Sequence, residues 1–224
     1  MTSFSKGNGR SSNFAEERRL MVESQIRKRG VADERVLLAM ATVPRHEFAP
    51  RSRVHQAYAD EPLPIGYGQT ISQPYIVAAM LASLELTGRE KVLEIGTGCG
   101  YQAAVVSLLA REVHTVEHLP ELAQSSAERL RRLGYRNVHV HYGDGTLGFA
   151  DFSPYGAILI AAAAPTVPEP LLEQLAEGGR LVAPVGEEDR QELQLFTKRA
   201  SQLIVKQCGP CRFVPLMGKY GRWG

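Results

Sequence analysis

The chain has few cysteines, no long apolar run and little net charge. With an odd total of three cysteines in 224 residues, a disulfide framework is not expected, and a reducing cytoplasm is favoured. No apolar stretch approaches the roughly 20 residues that span a bilayer, and the polar start of the chain has no apolar signal region. A net charge of +2 gives no reason to expect a nucleic-acid partner.

What the chain does have is an alternation of strand and helix patterns. The predicted strands are residues 91–95, 113–117, 138–142, 157–161 and 180–185, and the predicted helices between them are 101–110, 119–133 and 169–176. This alternation favours an α/β fold with a parallel sheet and helices on both faces. Three later runs, 192–197, 203–207 and 213–216, lack intervening helices, so we expect an antiparallel edge.

The first third of the chain is predicted to form a helical cap. Residues 14–29 have an amphipathic pattern that Gly30 ends. A second helix is predicted over 34–41, with Asp33 as its cap, and 45–60 is predicted mostly as loop. A stretch rich in Pro and Gly then leads to a helix over 74–86, with Ser72 as its candidate N-cap.

The expected organisation is one domain. It comprises a disordered tail (1–13) and a single domain (14–224), divided into the cap with an active-site loop (14–74), a cofactor-binding core (75–186) and C-terminal strands (187–224).

A glycine turn joins the first predicted strand of the core to its helix. Gly96, Gly98 and Gly100 alternate there, which brings bare backbone N–H groups and a helix N-terminus close to a ligand. Glu117 ends the next strand, about 20 residues on, where a carboxylate accepts the ribose hydroxyls of an adenosine cofactor. NAD and S-adenosylmethionine both fit these features.

The spacing of the glycines separates the two cofactors. A dinucleotide turn needs glycine at position 101, which is Tyr101 here. S-adenosylmethionine has no pyrophosphate, but its ammonium needs an acceptor, and Glu94 is expected to help supply one. Asp144, in the pair Gly143-Asp144 after the third strand, is expected to accept the adenine amino group. Glu117 and Asp144 also have a simpler interpretation, as cap or turn residues.

The methyl acceptor is indicated by groups that are missing. The fourth strand is followed by four alanines, 161–164, and not by the Asn-Pro-Pro-Tyr pattern that is typical of enzymes methylating the exocyclic amines of bases. The sequence also shows no obvious carboxylate cluster of the kind that a magnesium-dependent catechol methyltransferase needs. The pair Pro210-Cys211 lies too far downstream for a cytosine nucleophile, and the Cys208-x-x-Cys211 pattern is expected in a turn between strands. A carboxylate is already ionised at neutral pH, so it needs only positioning, for which Thr70 and Ser72 offer hydroxyls.

Several segments closely resemble the protein-L-isoaspartate O-methyltransferase family. They are IGYGQTISQP (65–74), VLEIGTGCGY (92–101), YGDG (142–145), AAAP (162–165), GGRLVAPVG (178–186) and FVPL (213–216), and the similarity runs over residues 21–223. The resemblance implies a Rossmann-like class I S-adenosylmethionine-dependent methyltransferase. Such an enzyme methylates the free carboxylate of L-isoaspartyl residues in damaged proteins and peptides, and the ester then closes to a succinimide.

The resemblance also implies roles for individual residues. Ser72 matches the catalytic residue. Together with Glu94, the expected cofactor-binding residues are Gln69, Thr70, Ile71, Ser72, Gly96, Gly98, Cys99, Gly100, Glu117, His118, Gly143 and Asp144. Val77, Met217 and Arg222 depart from residues that some members carry, so they receive no role.

Two alternatives stay open beside this reading. One is another S-adenosylmethionine-dependent methyltransferase on the same fold, and the other is a non-catalytic S-adenosylmethionine-binding module. An NAD dehydrogenase is a more distant third. The expected partners are isoaspartyl proteins and peptides, with no nucleic acid, no membrane and no metal, and the chain is expected to be a monomer.

Overall fold

The computed structural model of the protein describes residues 13–187 and 189–221. The tail predicted over 1–13 lies outside these residues except for Asn13, which caps the first helix. The helices are α1 (Phe14–Leu20), α2 (Glu34–Thr42), α3 (Pro74–Leu84), α4 (Tyr101–Ser107), α5 (Pro120–Arg132) and α6 (Glu169–Glu173). The strands are β1 (Leu63–Gly66), β2 (Gln69–Ile71), β3 (Lys91–Ile95), β4 (Glu112–Glu117), β5 (Val138–Tyr142), β6 (Tyr155–Ile160), β7 (Leu175–Glu187), β8 (Arg190–Arg199) and β9 (Gln202–Cys211).

Seven strands form the main sheet, in the order β5-β4-β3-β6-β7-β8-β9. The pairs from β5 to β7 are parallel, whereas β8 and β9 are antiparallel additions at the edge. The predicted α/β fold with an antiparallel C-terminal edge is confirmed. The chain builds outward from β3 to β5 and then returns to the other side of β3 with β6. Parallel sheets bind ligands beyond the strand ends at such a reversal.

The central strands β3, β4 and β6 are buried at nearly every position because both faces of the sheet are covered. Along β3, Val92 packs into the core cluster that contains the N-terminal helices, α3 and α4. Its neighbour Leu93 belongs to the opposite cluster, which contains Leu171 of α6 and Leu216. This alternation follows from the two-residue period of a strand, and it fixes the carboxyl end of β3 between two packed layers.

The N-terminal helix predictions are largely confirmed. Residues 14–29 are helical throughout, because α1 continues as a π-helical segment, Met21–Ile26, and a 3-10 turn, Arg27–Arg29. Gly30 ends the run with a left-handed φ of 98°. Asp33 caps α2 as expected, its side chain accepting from two backbone N–H groups.

Three helices end earlier than the sequence suggested. The helix predicted over 74–86 ends at Leu84, because Glu85 takes a left-handed conformation. The one predicted over 101–110 ends at Ser107, and the one predicted over 169–176 ends at Glu173, since β7 already begins at Leu175. The glycine pair at 178–179 therefore lies inside β7, where the pairing with β6 is irregular, and does not terminate a helix. The loop predicted over 45–60 contains two short 3-10 segments.

The stretch before α3 is a hairpin, which the sequence did not indicate. Strands β1 and β2 pair antiparallel, and the turn Gly66-Tyr67-Gly68 has positive φ at all three residues. Ser72 is not the N-cap of α3, so that prediction is wrong. Gln73 occupies the cap position, with no side-chain cap hydrogen bond.

The C-terminal segment after β9 also differs from the prediction. Residues 213–216 form an isolated parallel bridge from Pro215 to Ala163 and not a third antiparallel strand. The N–H of Ala163 donates to the carbonyl of Val214, and that of Leu216 donates to the carbonyl of Ala163. We call residues 213–217 the C-terminal strap. The Cys208–Cys211 pattern lies within β9, near an irregularity in its pairing with β8, and not in a turn.

Candidate active site

A cavity of about 800 Å³ lies at the carboxyl ends of the central strands. Ile95 at the end of β3, Glu117 at the end of β4, Ala161 after β6 and Gly186 of β7 all line it. The β1–β2 hairpin and the C-terminal strap form further walls. The cavity therefore sits where the strand order reverses.

The glycine turn brings bare backbone to one side of this cavity at Gly96 and Gly98. The φ angles of Gly96, Gly98 and Gly100 are 92°, 54° and 89°, a left-handed region that favours glycine. A Cβ on Gly100 would lie 3.1 Å from the side chain of Leu130, so space is also limited there. The turn is anchored by the Gly96 N–H, which donates to the carbonyl of Val116 over 2.9 Å.

Glu117 links the turn to the next helix. Its Oε2 accepts from the N–H of Gly98 at 2.7 Å, and its Oε1 accepts from the N–H of Leu119 at 3.0 Å. The side chain is buried but lines the cavity. Glu117 therefore has the turn role that its simpler interpretation predicted. A carboxylate oxygen can accept more than one hydrogen bond, so both oxygens can still accept from a ligand.

Glu94 lies beneath the turn and is fully buried. Its Oε2 accepts from the hydroxyl of Thr115 at 2.5 Å, whereas its Oε1 has no hydrogen-bond partner among the described residues. Burial raises the pKa of Glu94 to about 8; the Thr115 hydrogen bond opposes this shift and the charge of Glu117 adds to it. A buried carboxyl with an unsatisfied oxygen fits a site that receives a donor or a positive charge from a ligand.

Asp144 makes contacts that hold the fold together. Its Oδ1 accepts from the N–H and the hydroxyl of Thr146, and its Oδ2 accepts from the N–H of Lys219 at 2.8 Å. Burial favours a higher pKa for Asp144, but the bonds from Thr146 and Lys219 outweigh it and lower the pKa. The residue caps a short 3-10 turn and ties the chain after the strap to the end of β5.

Ser72 lies at the junction between β2 and α3 and lines the cavity. Its hydroxyl makes no hydrogen bond to any described residue, and its carbonyl accepts from Nη2 of Arg45 at 2.9 Å. The hydroxyl is therefore held in the cavity wall by its backbone and is available to a ligand.

Most of the predicted site residues meet in this one cavity. Those that line it are Gln69, Thr70, Ile71, Ser72, Gly96, Gly98, Cys99, Glu117 and His118. Four do not line it: Glu94, Gly100, Gly143 and Asp144. Glu94 is linked to Thr97 of the glycine turn through the hydroxyl of Thr115, and Gly100 belongs to the turn itself. Gly145 lines the cavity in place of the preceding Gly143-Asp144 pair.

The far wall of the cavity was not predicted from the sequence. Tyr67 at the hairpin tip and the C-terminal strap both line it. Gln191 of β8 holds the strap in place, because its side chain accepts from the N–H of Phe213 at 2.6 Å and donates to the carbonyl of the same residue at 3.2 Å. Pro215 within the strap and Pro210 at the end of β9 were the available signal, since proline disfavours a regular ladder.

The described part of the chain has neither a cluster of metal-ligating side chains nor a membrane-spanning helix. Over residues 13–187 and 189–221, no group of three or more His, Cys, Asp or Glu side chains is placed to hold a metal ion. Within the same residues, no helix is long and apolar enough to cross a membrane.

Comparison with known proteins decides the family. The family model of protein-L-isoaspartate(D-aspartate) O-methyltransferases matches residues 16–221. The chain belongs to this family. It is 53% identical to protein-L-isoaspartate O-methyltransferase 1 of Syntrophobacter fumaroxidans over 93% of this chain and 98% of that one. It is 54% identical to the Geobacter metallireducens protein-L-isoaspartate O-methyltransferase, over 95% and 98%.

Solved structures agree with the family and the fold. A protein-L-isoaspartate O-methyltransferase structure superposes with a TM-score of 0.82 at 32% identity, covering 91% of this chain and 67% of that chain. A Plasmodium falciparum protein assigned to the same enzyme class, solved with S-adenosyl-L-homocysteine, superposes with a TM-score of 0.77 at 24% identity, covering 89% and 98%. The second likeness supports the fold alone.

Proposed function

We propose that this protein transfers a methyl group from S-adenosylmethionine to the free carboxylate of L-isoaspartyl residues, as a protein-L-isoaspartate O-methyltransferase that starts repair through a succinimide. Its family membership carries the reaction class. The observation that carries the assignment of roles is the free hydroxyl of Ser72 in the wall of the cavity that the glycine turn also lines.

The cavity is suited to an acceptor that needs no base. An ionised carboxylate is already a nucleophile, so the protein has to strip its water and fix its direction. The wall after β6 consists of small apolar side chains, among them Ala161, Ala162 and Ala163. We propose that Ser72 donates its hydroxyl proton in a hydrogen bond to the acceptor carboxylate and so aligns one oxygen for in-line attack.

The other half of the cavity fits the cofactor, which supplies an activated methyl group on a sulfonium. We propose that Glu117 accepts the ribose hydroxyls with the oxygen lone pairs that its two backbone contacts leave free. The unsatisfied Oε1 of Glu94 is proposed to receive the ammonium, directly or through water. The backbone of Gly96 and Gly98 leaves room for the amino-acid end.

The remaining proposed contacts involve the segment before α3 and the ends of β4 and β5. We propose cofactor contacts for Gln69, Thr70, Ile71, Ser72, Cys99 and His118. Three residues that were expected to bind the cofactor do not line the cavity, and we propose that they support the site from outside it. They are Gly100, Gly143 and Asp144. We also retain one functional domain over 14–224, a monomer, no nucleic-acid partner and a cytoplasmic location as proposals.

Methyl transfer by a Ser72→Ala variant tests the proposal. Wild type and variant are given an isoaspartyl peptide and labelled S-adenosylmethionine, and S-adenosylhomocysteine affinity is measured by calorimetry. We expect kcat to fall at least about tenfold while the affinity stays within about twofold, since one aligning hydrogen bond is lost from the acceptor. Unchanged kcat and KM would overturn the role of Ser72, and a wild type without transfer would overturn the function.

A further inference from the structure

Arg45 is one of the largest fully buried side chains of the protein, with a relative exposure of 0%. It opens the short 3-10 segment Arg45–Glu47 of the N-terminal cap. Arginine is rarely buried completely unless it is paired with a carboxylate. Its position therefore requires an explanation beyond packing.

The guanidinium group is held by backbone oxygens and one ring. Nε donates to the carbonyl of Ala57 at 2.7 Å, and Nη2 donates to the carbonyl of Ser72 at 2.9 Å. The Cζ atom lies 4.7 Å from the ring centroid of Tyr101, which lines the cavity. Nη1 is buried with no hydrogen-bond partner among the described residues.

No carboxylate balances this charge. Among residues 13–187 and 189–221, Arg45 makes no ion pair with Asp or Glu, and the titratable groups that face it are Tyr101, Cys99 and Tyr58. The three are neutral when protonated, and burial raises the pKa of each. Arginine remains protonated in proteins. The cap therefore directs an uncompensated positive charge toward the wall that contains Ser72.

We propose that Arg45 is a positioning residue that holds Ser72 through its carbonyl and whose unbalanced charge favours an anionic acceptor in the cavity. This inference rests on the proposed carboxyl methylation. An unpaired buried cation is costly. A carboxylate on the far side of Ser72 and Tyr101 supplies the missing negative charge only when the substrate is bound. Arg45 thus acts on acceptor selection without touching the acceptor.

Binding of two matched peptides tests this idea without depending on turnover. One peptide carries the isoaspartyl α-carboxylate, and the other carries the corresponding α-carboxamide, which has the same shape and no charge. Their affinities are measured by calorimetry in the presence of S-adenosylhomocysteine, for wild type, Arg45→Met and Arg45→Lys. A long-range charge acts on the carboxylate peptide and not on its neutral twin.

We expect only the affinity for the charged peptide to change strongly. Arg45→Met should weaken binding of the carboxylate peptide about tenfold and binding of the carboxamide peptide less than about twofold. Arg45→Lys keeps the charge and should retain most of the preference for the carboxylate peptide. Equal weakening of both peptides, or an unchanged preference in Arg45→Met, would overturn the inference. If Arg45→Met does not fold, loss of the preference in folded Arg45→Lys would overturn it, and retention would support it.

Arg18→Met is the matched control for damage to the cap. Arg18 is half-buried, donates to the carbonyl of Ala41 at 2.6 Å and lies outside the cavity lining. The Arg18→Met variant should lose stability without a change in its preference for the carboxylate peptide. A loss of preference equal to that of Arg45→Met would contradict a specific role for Arg45.

The same measurements separate this inference from the proposed function. If the wild type prefers the carboxylate peptide but does not methylate it, only the proposed function is contradicted.

Discussion

Replacing Glu94 with glutamine should change the number of protons released when the cofactor binds. Burial raises the pKa of this carboxyl to about 8, so about 0.9 of the population is protonated at pH 7. A cation within hydrogen-bond reach lowers such a pKa by about 1–3 units. If the ligand ammonium approaches the unsatisfied Oε1, binding should therefore release about 0.4 to 0.9 proton at pH 7.

The assay is calorimetric titration with S-adenosylhomocysteine in two buffers of different ionisation enthalpy. Wild type should release protons at pH 7, and the release should decline toward pH 9 as the free protein loses the proton itself. Glu94→Gln keeps the shape and an acceptor for the Thr115 hydroxyl but cannot ionise, so its proton count provides the baseline. At pH 7 the free ligand amine is already largely protonated, so it takes up few protons on binding to either protein.

Equal proton counts for wild type and Glu94→Gln would refute the placement of the ammonium near Glu94.

The raised pKa of Glu94 also affects the stability of the free protein. Between pH 4.5 and about 8 the folded form holds a proton that the unfolded chain has lost, so stability should decrease as the pH rises through this window. Glu94→Gln should flatten that slope.

Two further predictions concern stability. Gly100→Ala should lower the free energy of unfolding by about 1–3 kcal/mol, because alanine is strained at a φ of 89° and its Cβ would press on Leu130. Denaturant unfolding with an unchanged m-value measures this loss, and an unchanged midpoint would contradict it. Burial, and next the neighbouring His114, lower the pKa of His141 to about 4. Stability should therefore fall as the pH drops from 6.5 toward 4, where the unfolded chain binds the extra proton. His141→Phe, which can keep the stack on Phe149, should reduce that acid loss in thermal unfolding at pH 7 and pH 5, and an identical loss in both proteins would count against it.

The parallel core was predictable because each signal is local. An apolar run that ends in glycines predicts a buried strand followed by a tight turn, and β3 begins and ends at the predicted residues. The role of Asp33 as a cap also follows from a short pattern. In the same way, Glu117 was expected at the end of a strand beside the glycine turn, and parallel strands bring these features to one edge.

The rest depends on contacts between distant segments. The hairpin before α3 is marked by Pro and Gly, which also mark loops, so its pairing was not visible. The path of the C-terminal strap is set by its bridge to Ala163 and by the two bonds to Gln191, far away in the chain. Arg45 lies in a stretch with little periodicity, and no local rule places an arginine in the core.

In the proposed reaction, the protein methylates the α-carboxylate of an isoaspartyl residue bound in this cavity. The most direct measurement offers the wild-type protein labelled S-adenosylmethionine and two peptides of identical sequence, one with an isoaspartyl and one with a normal aspartyl residue. We predict base-labile label in the isoaspartyl peptide only, followed by conversion of that peptide to a succinimide. Equal labelling of both peptides would contradict the specificity, and no label in either would contradict the activity itself.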